Sequence, residues 1–319
     1  MLTQTLSAAL LTTHTRLLGR WKLKPCHGVD TLYTTNLGSM LRFQIQRATT
    51  LTVDFFNNGN PFGAAQVIGI RVDDHPWQHF AANHMPATIH FAAAHHVIEI
   101  MTVGNTDLDN VWLEREGFAL QSITTDATAQ IQPTPPRPHL TWIGDSITAG
   151  CWVHGRRPAQ DYAADTNYAA QCSDHLACDS CRIAYSAAGI IRGGTGHVPA
   201  APQFLTHLDQ DTVWQPTATD LVVINLGVND RQYFADDFES ALRSFLHQVQ
   251  DCFAAPIMVM VPFAQVFAPV FRAVIHELPS ITLIETADWA LTYTDRLHPD
   301  QHGSDIAGRR LAQVLRPYI

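Results

Sequence analysis

Lysine is almost missing from this chain: Lys22 and Lys24 are the only two in 319 residues. Binding to nucleic acid needs clustered basic side chains to neutralise phosphate, and a formal net charge of -9 with no basic block excludes nucleic acid as the main partner. Arg156-Arg157 and Arg309-Arg310 read as solvated surface pairs. Long apolar runs are missing too. The one stretch that mimics a membrane span, "AAPIMVMVPFAQVFAPVFRAVI", is broken by Pro262 and Pro269 and carries Arg272, so a strand, a loop and a helix describe it better. The amino terminus lacks the basic start and sustained apolar run of a secretory signal. The expectation is a soluble, cytoplasmic protein with no membrane partner.

Of the six cysteines, Cys172, Cys178 and Cys181 fall with His175 inside ten residues, but no second Cys or His pair completes a structural metal site. The stretch reads as a helix end, "TNYAAQCSDHLA", running into a strand, "CRIAYS", with the thiols reduced and acting as small hydrophobes. No metal and no cofactor is expected. The 17 histidines, His95-His96 included, form no metal-spaced cluster.

What is present describes a folded protein: 46% of residues are hydrophobic and 15% are charged. The length exceeds what one core usually serves, so two domains are expected. Up to about residue 130 apolar side chains alternate with polar ones. Leu41, Phe43 and Ile45 alternate with Arg42, Gln44 and Gln46; Leu51, Val53 and Phe55 repeat the pattern, as do Ile68, Ile70 and Val72. "NNGN" at 57–60 and "DDHP" at 73–76 supply turns. "HHVIEIMTVGN" and "NVWLEREGFAL" read as two further strands, and no helix of useful length is expected among them. Residues 1–132 are thus read as a jelly-roll-like β-sandwich. Four prolines in residues 132–138 make a stiff connection, and the linker is set at 133–138.

From 139 to 319 the grammar changes to strands alternating with helices. Strands are expected at 139–143, 182–186, 221–226, 256–261 and 281–284, short and apolar throughout, as buried parallel strands are. The last helix, with Ser304 as its expected cap, puts Ile306, Leu311, Val314 and Leu315 on one face. The reading is a doubly wound α/β domain of about five strands.

In such a sheet, sites form at the carboxyl ends of the strands. Those ends carry Gly144-Asp145-Ser146, then Gly189, then Gly227-Val228-Asn229-Asp230, then Asp295-Arg296-Leu297-His298. A hydroxyl, a histidine, an aspartate and amide donors are what acyl transfer requires. Ser146 is the candidate nucleophile, His298 the base and Asp295 its orienter. The N–H groups of Ser146 and Gly189 and the Asn229 amide are the candidate oxyanion donors. Asp230 reads as a cap or loop anchor. Trp152, Tyr185, Trp214 and Tyr233 flank these blocks and are candidates for stacking on a sugar.

With these four blocks in this order, residues 139–319 resemble the SGNH hydrolases, also called GDSL esterases. The resemblance implies the same roles for Ser146, Gly189, Asn229, Asp295 and His298, and chemistry without a metal. A sandwich domain ahead of such a hydrolase is similar in architecture to carbohydrate esterase family 2, whose members remove acetyl groups from sugars. The substrate this implies is a small acylated molecule, an acetylated sugar or oligosaccharide. A lipase, arylesterase or thioesterase on the same machinery is the enzymatic alternative. A carbohydrate-binding protein with an inactive hydrolase half is the alternative from another class.

Overall fold

The computed structural model describes residues 2–319. In the front half, two six-stranded antiparallel sheets close over one core. The first contains Val29–Thr34, Thr50–Phe55 and Phe118–Asp126; the second contains Met40–Gln46, Val67–Val72 and His96–Gly104. The alternating apolar residues meet as expected: Leu41, Phe43, Ile45, Ile70 and Ile100 face Leu51, Val53, Phe55, Leu120 and Ile123 in one cluster.

Three features differ from the sequence reading. A helix, Ala8–His14, does occur here, short and with only Ala8 and Leu11 buried, so its period is too brief to stand out. Of "NVWLEREGFAL" only the end is strand, beginning at Phe118, while Asn110 holds a turn by accepting from Leu113 N–H at 3.1 Å. The polar face of Met40–Gln46 is not solvated throughout either. Arg42 is buried, because the back half covers it.

The back half is a five-stranded parallel sheet in the order Asp179–Ala184, His139–Gly144, Leu221–Asn225, Ile257–Met260 and Ile281–Ile284. Alternate residues point to opposite faces. Leu140, Trp142, Leu221 and Val223 pack with Leu311 and Leu315 of the last helix, and Ile143, Val222 and Ile224 pack with Phe238, Leu242 and Phe271. Covered on both sides, the central strands Leu221–Asn225 and Ile257–Met260 are almost wholly apolar, whereas Asp179–Ala184 at the sheet edge buries Asp179 and Arg182. Sequence-adjacent strands lie on either side of His139–Gly144, so the sheet has its topological switch point there. The last helix spans Gln301–Leu315, and its cap is Asp300 rather than Ser304: Asp300 Oδ1 accepts from Gly303 N–H at 2.8 Å. Ser304 lies buried inside the first turn.

The halves do not meet as separate bodies. The front core continues into Ala149, Cys151, Tyr162, Ala164 and Ala184 of the back half. Buried Arg20 donates to Asn36 Oδ1 at 2.6 Å on its own side, and to Tyr185 Oη at 2.6 Å and Phe204 O at 2.7 Å across the junction. The proline-rich stretch is also held down. Gln130–Pro133 pairs with the edge of Met40–Gln46, and Arg42 Nε donates to Thr134 Oγ1 at 3.0 Å.

Candidate active site

Strand His139–Gly144 ends in a glycine because Thr148 folds back over it: a Cβ at Gly144 would come within 2.0 Å of Thr148 Oγ1. Asp145 then caps the helical turn Ser146–Ala149 by accepting from Ile147 N–H at 2.9 Å. The cap places Ser146 at the first helical position, where its N–H has no partner four residues back. Asn167 braces the turn from the side, donating to Ile147 O at 3.2 Å and Thr148 O at 2.8 Å. Nothing in the spacing of the sequence pointed to Asn167.

Burial pushes the Asp145 carboxyl up to about 7, with the neighbouring Asp230 charge acting in the same direction and the Ile147 N–H opposing them. The aspartate of the first block is thus a buried structural group, not a free acid.

The loop after the last strand brings the other partners across the sheet edge. Asp295 Oδ1 accepts from the N–H groups of Leu297 at 3.0 Å and His298 at 2.8 Å, which folds the loop back so that Oδ2 meets His298 Nδ1 at 2.8 Å. Arg296 makes this return in the left-handed region, with φ at 73°. An ionised carboxylate only accepts, so Nδ1 carries the proton and Nε2 is the acceptor. His298 Nε2 lies 2.8 Å from Ser146 Oγ. Three residues separated by up to 152 positions form one hydrogen-bonded chain.

Electrostatics suit that chain to proton removal. Burial lowers the proton affinity of His298, outweighing the Asp295 carboxylate that raises it, so the imidazole is neutral at neutral pH. Burial pushes Asp295 up, but the His298 and Leu297 donors and the imidazole outweigh it and hold the carboxyl below its ordinary value. A neutral base beside an ionised orienter can take the Ser146 proton and then be stabilised as imidazolium.

The candidate oxyanion donors are placed unequally. Asn229 follows the third strand in the short helical turn Val228–Asp230, and its Nδ2 donates to Ala188 O at 2.9 Å, leaving its second amide hydrogen unassigned. Gly189 departs from expectation. Its N–H donates to Arg192 O at 2.8 Å and so is engaged within its own loop. What requires a glycine there is Asp230, whose Oδ1 would lie 2.3 Å from a Cβ at Gly189. Asp230 is the loop anchor the sequence suggested: it accepts from the N–H groups of Ile190 at 2.7 Å, Ile191 at 3.1 Å and Arg192 at 2.9 Å.

Of the candidate sugar-stacking aromatics, Trp152 alone adjoins the chain, its ring centroid 6.4 Å from that of His298. Tyr185 and Trp214 are buried around Arg20 at the junction of the halves, and Tyr233 is half-buried just beyond Asp230.

Residues 142–306 match the sequence profile of the GDSL-like Lipase/Acylhydrolase family. The chain belongs to this family. This GDSL-like acylhydrolase is thus a carboxylic ester hydrolase. No curated protein matches its sequence. Among solved structures, it is similar to a family two carbohydrate esterase from Cellvibrio japonicus, at TM-score 0.77 and 17% identity, covering 99% of this chain and 98% of that one. A family two carbohydrate esterase from Clostridium thermocellum, in complex with cellohexaose, superposes at TM-score 0.78 with 16% identity over 95% of this chain and 98% of that one. An acetyl xylan esterase from the rumen bacterium Butyrivibrio proteoclasticus gives TM-score 0.76 and 15% identity over 99% and 98%. At these identities the likeness is one of fold, and it spans both halves.

Proposed function

We propose that this acylhydrolase is a serine esterase that removes short acyl groups, acetyl foremost, from carbohydrate. The observation that carries the chemistry is the chain from Asp295 through His298 to Ser146, with both links at 2.8 Å. His298 takes the Ser146 proton as Oγ attacks the ester carbonyl. The negative oxygen that develops is met by the Ser146 N–H and the Asn229 amide. His298 then protonates the departing sugar oxygen, and water, activated by the same imidazole, releases the acid from the acyl-enzyme. A contribution from Gly189 N–H requires the loop to release its bond to Arg192 O.

The carbohydrate part of the reading rests on likeness in both halves to carbohydrate esterases, one of which is described in complex with cellohexaose. We read the front half as a jelly-roll-like β-sandwich. We read the setting as cytoplasmic, one in which the six cysteines would stay reduced.

The test is a series of p-nitrophenyl esters of rising chain length, set beside acetylated xylo-oligosaccharides. Faster turnover of acetate than of butyrate or octanoate, with acetate released from the oligosaccharide, supports the reading. A preference for octanoate refutes it in favour of a lipase.

A further inference from the structure

One loop of the front half lies against the turn that begins the site. After the strand His96–Gly104, Asn105, Thr106, Asp109 and Val111 line a cavity of about 20 Å³ whose far wall includes Ala149, Cys151 and Ser186, so this segment lies over the turn that carries Ser146. The loop is locked from behind. Asp109 accepts from the N–H groups of Asn60 at 2.8 Å and Thr106 at 2.9 Å, and Trp112 N–H donates to Gly196 O at 3.2 Å.

Between these fixed points, Asp107 and Leu108 form an exposed tip. Asp107 Oδ1 accepts from Thr195 Oγ1 at 3.0 Å, and Thr195 N–H donates to Ser186 O at 2.9 Å in the segment that leads to Gly189. Burial dominates the proton affinities of His298, Cys151 and Tyr162, yet the Asp107 charge is near enough to act on all three.

A carboxylate fixed to Thr195, beside the segment that leads to Gly189, has few uses there. It cannot orient the imidazole, because Asp295 and Ser146 occupy both ring nitrogens. Anchoring Thr195 engages only one of its oxygens; Oδ2 has no protein donor among the described residues. An exposed, fixed carboxylate oxygen is a strong acceptor for a hydroxyl hydrogen, and its charge repels an anionic ligand.

We propose that Asp107 is a specificity residue through which the front half reads the substrate: its carboxylate accepts hydrogen bonds from free hydroxyl groups flanking the ester on the alcohol portion. The inference rests on the carbohydrate-ester reading and narrows it to neutral, polyhydroxylated alcohols. An ester whose alcohol lacks hydroxyls gains nothing from Asp107, and one bearing a carboxylate beside the ester is disfavoured.

The experiment compares kcat and KM for mono-acetylated methyl xyloside and p-nitrophenyl acetate in the wild type, Asp107→Ala and Thr195→Ala. Asp107→Ala is expected to raise KM for the sugar ester about tenfold with kcat much less affected, so the ratio of the two efficiencies falls by about the same factor. Thr195→Ala removes the anchor and keeps the carboxylate, and should hold that ratio within about threefold of wild type. An Asp107→Ala enzyme with the wild-type ratio overturns the inference, as does a Thr195→Ala enzyme that loses as much as Asp107→Ala. A wild type that hydrolyses p-nitrophenyl acetate but not the sugar ester refutes the carbohydrate reading itself. The acid limb of kcat/KM for p-nitrophenyl acetate gives a second readout. His298 feels the charges of Asp295 and Asp107, so Asp107→Asn should move that limb to lower pH, and an unmoved limb removes Asp107 from the site.

Discussion

Arg42, on a strand of the front half, and Asp179, at the start of a strand of the parallel sheet, form a buried ion pair that Arg16 completes at 2.7 Å from the other carboxylate oxygen. The pair ties the front half to the parallel sheet. Taking one member away leaves a buried charge without its counterpart, so Asp179→Ala should cost about 3–5 kcal/mol. Urea denaturation reads this directly, and an unchanged midpoint would mean the pair is not needed. A fragment starting at Pro138 also loses Arg20 and the front-half part of the shared core, and should not unfold cooperatively on its own.

The proposed reaction needs a neutral His298. Because burial holds its proton affinity below the ordinary value of 6.5, kcat/KM should rise with pH along an acid limb centred below 6.5 and then level. Asp295→Asn removes a charge that favours the imidazolium. It should therefore lower the plateau, by up to about 10⁴, and also move the limb to lower pH. A limb centred above 6.5 in the wild type contradicts this account of the base.

On the proposed mechanism Asn229 and Asp230 are neighbours with separate duties, and their variants should separate accordingly. Asn229→Ala should cost about 10²–10³ in kcat with little change in stability, as expected for the loss of one oxyanion donor. Asp230→Ala strands three N–H groups and should destabilise the protein by about 1–3 kcal/mol as well as slow it. Equal stability losses in the two variants would refute the division.

Asp145 predicts a pH-dependent stability. Its carboxyl is pushed from an ordinary 3.8 up to about 7 in the folded protein, so folding favours the protonated form. The stability this contributes is complete below 3.8 and is lost as pH rises through about 7. Asparagine can keep the cap to Ile147 N–H without the charge. Asp145→Asn should therefore gain in Tm relative to wild type as pH rises through that window; a difference that stays constant with pH rules the explanation out.

Much of this was legible in the sequence because it depends on local rules. Strands covered on both faces carry apolar side chains at consecutive positions, as Leu221-Val222-Val223-Ile224 do, and a site at strand ends must place its blocks after them, as Ser146, Asn229 and His298 are placed. What escaped depends on partners far along the chain. Arg42 shares its polar alternation with Gln44 and Gln46, and only the half packed upon it buries it. Gly189 looked like a backbone donor, whereas its missing side chain makes room for Asp230, forty-one positions later. Ser304 and Asp300 are both acceptable caps, and the loop geometry chose Asp300. Asp107 is an ordinary loop aspartate until Thr195, eighty-eight positions away, meets it.

The central claim is that Ser146 carries the acyl group from sugar to water. Rapid quenching of the enzyme during turnover of acetylated xylo-oligosaccharide, followed by peptide mass spectrometry, tests it most directly. The account predicts one acetyl group on Ser146 in the wild type. It also predicts no acetylated peptide and no acetate release in Ser146→Ala. Acetate release that survives in Ser146→Ala, or an acetyl group on a different residue, would contradict it.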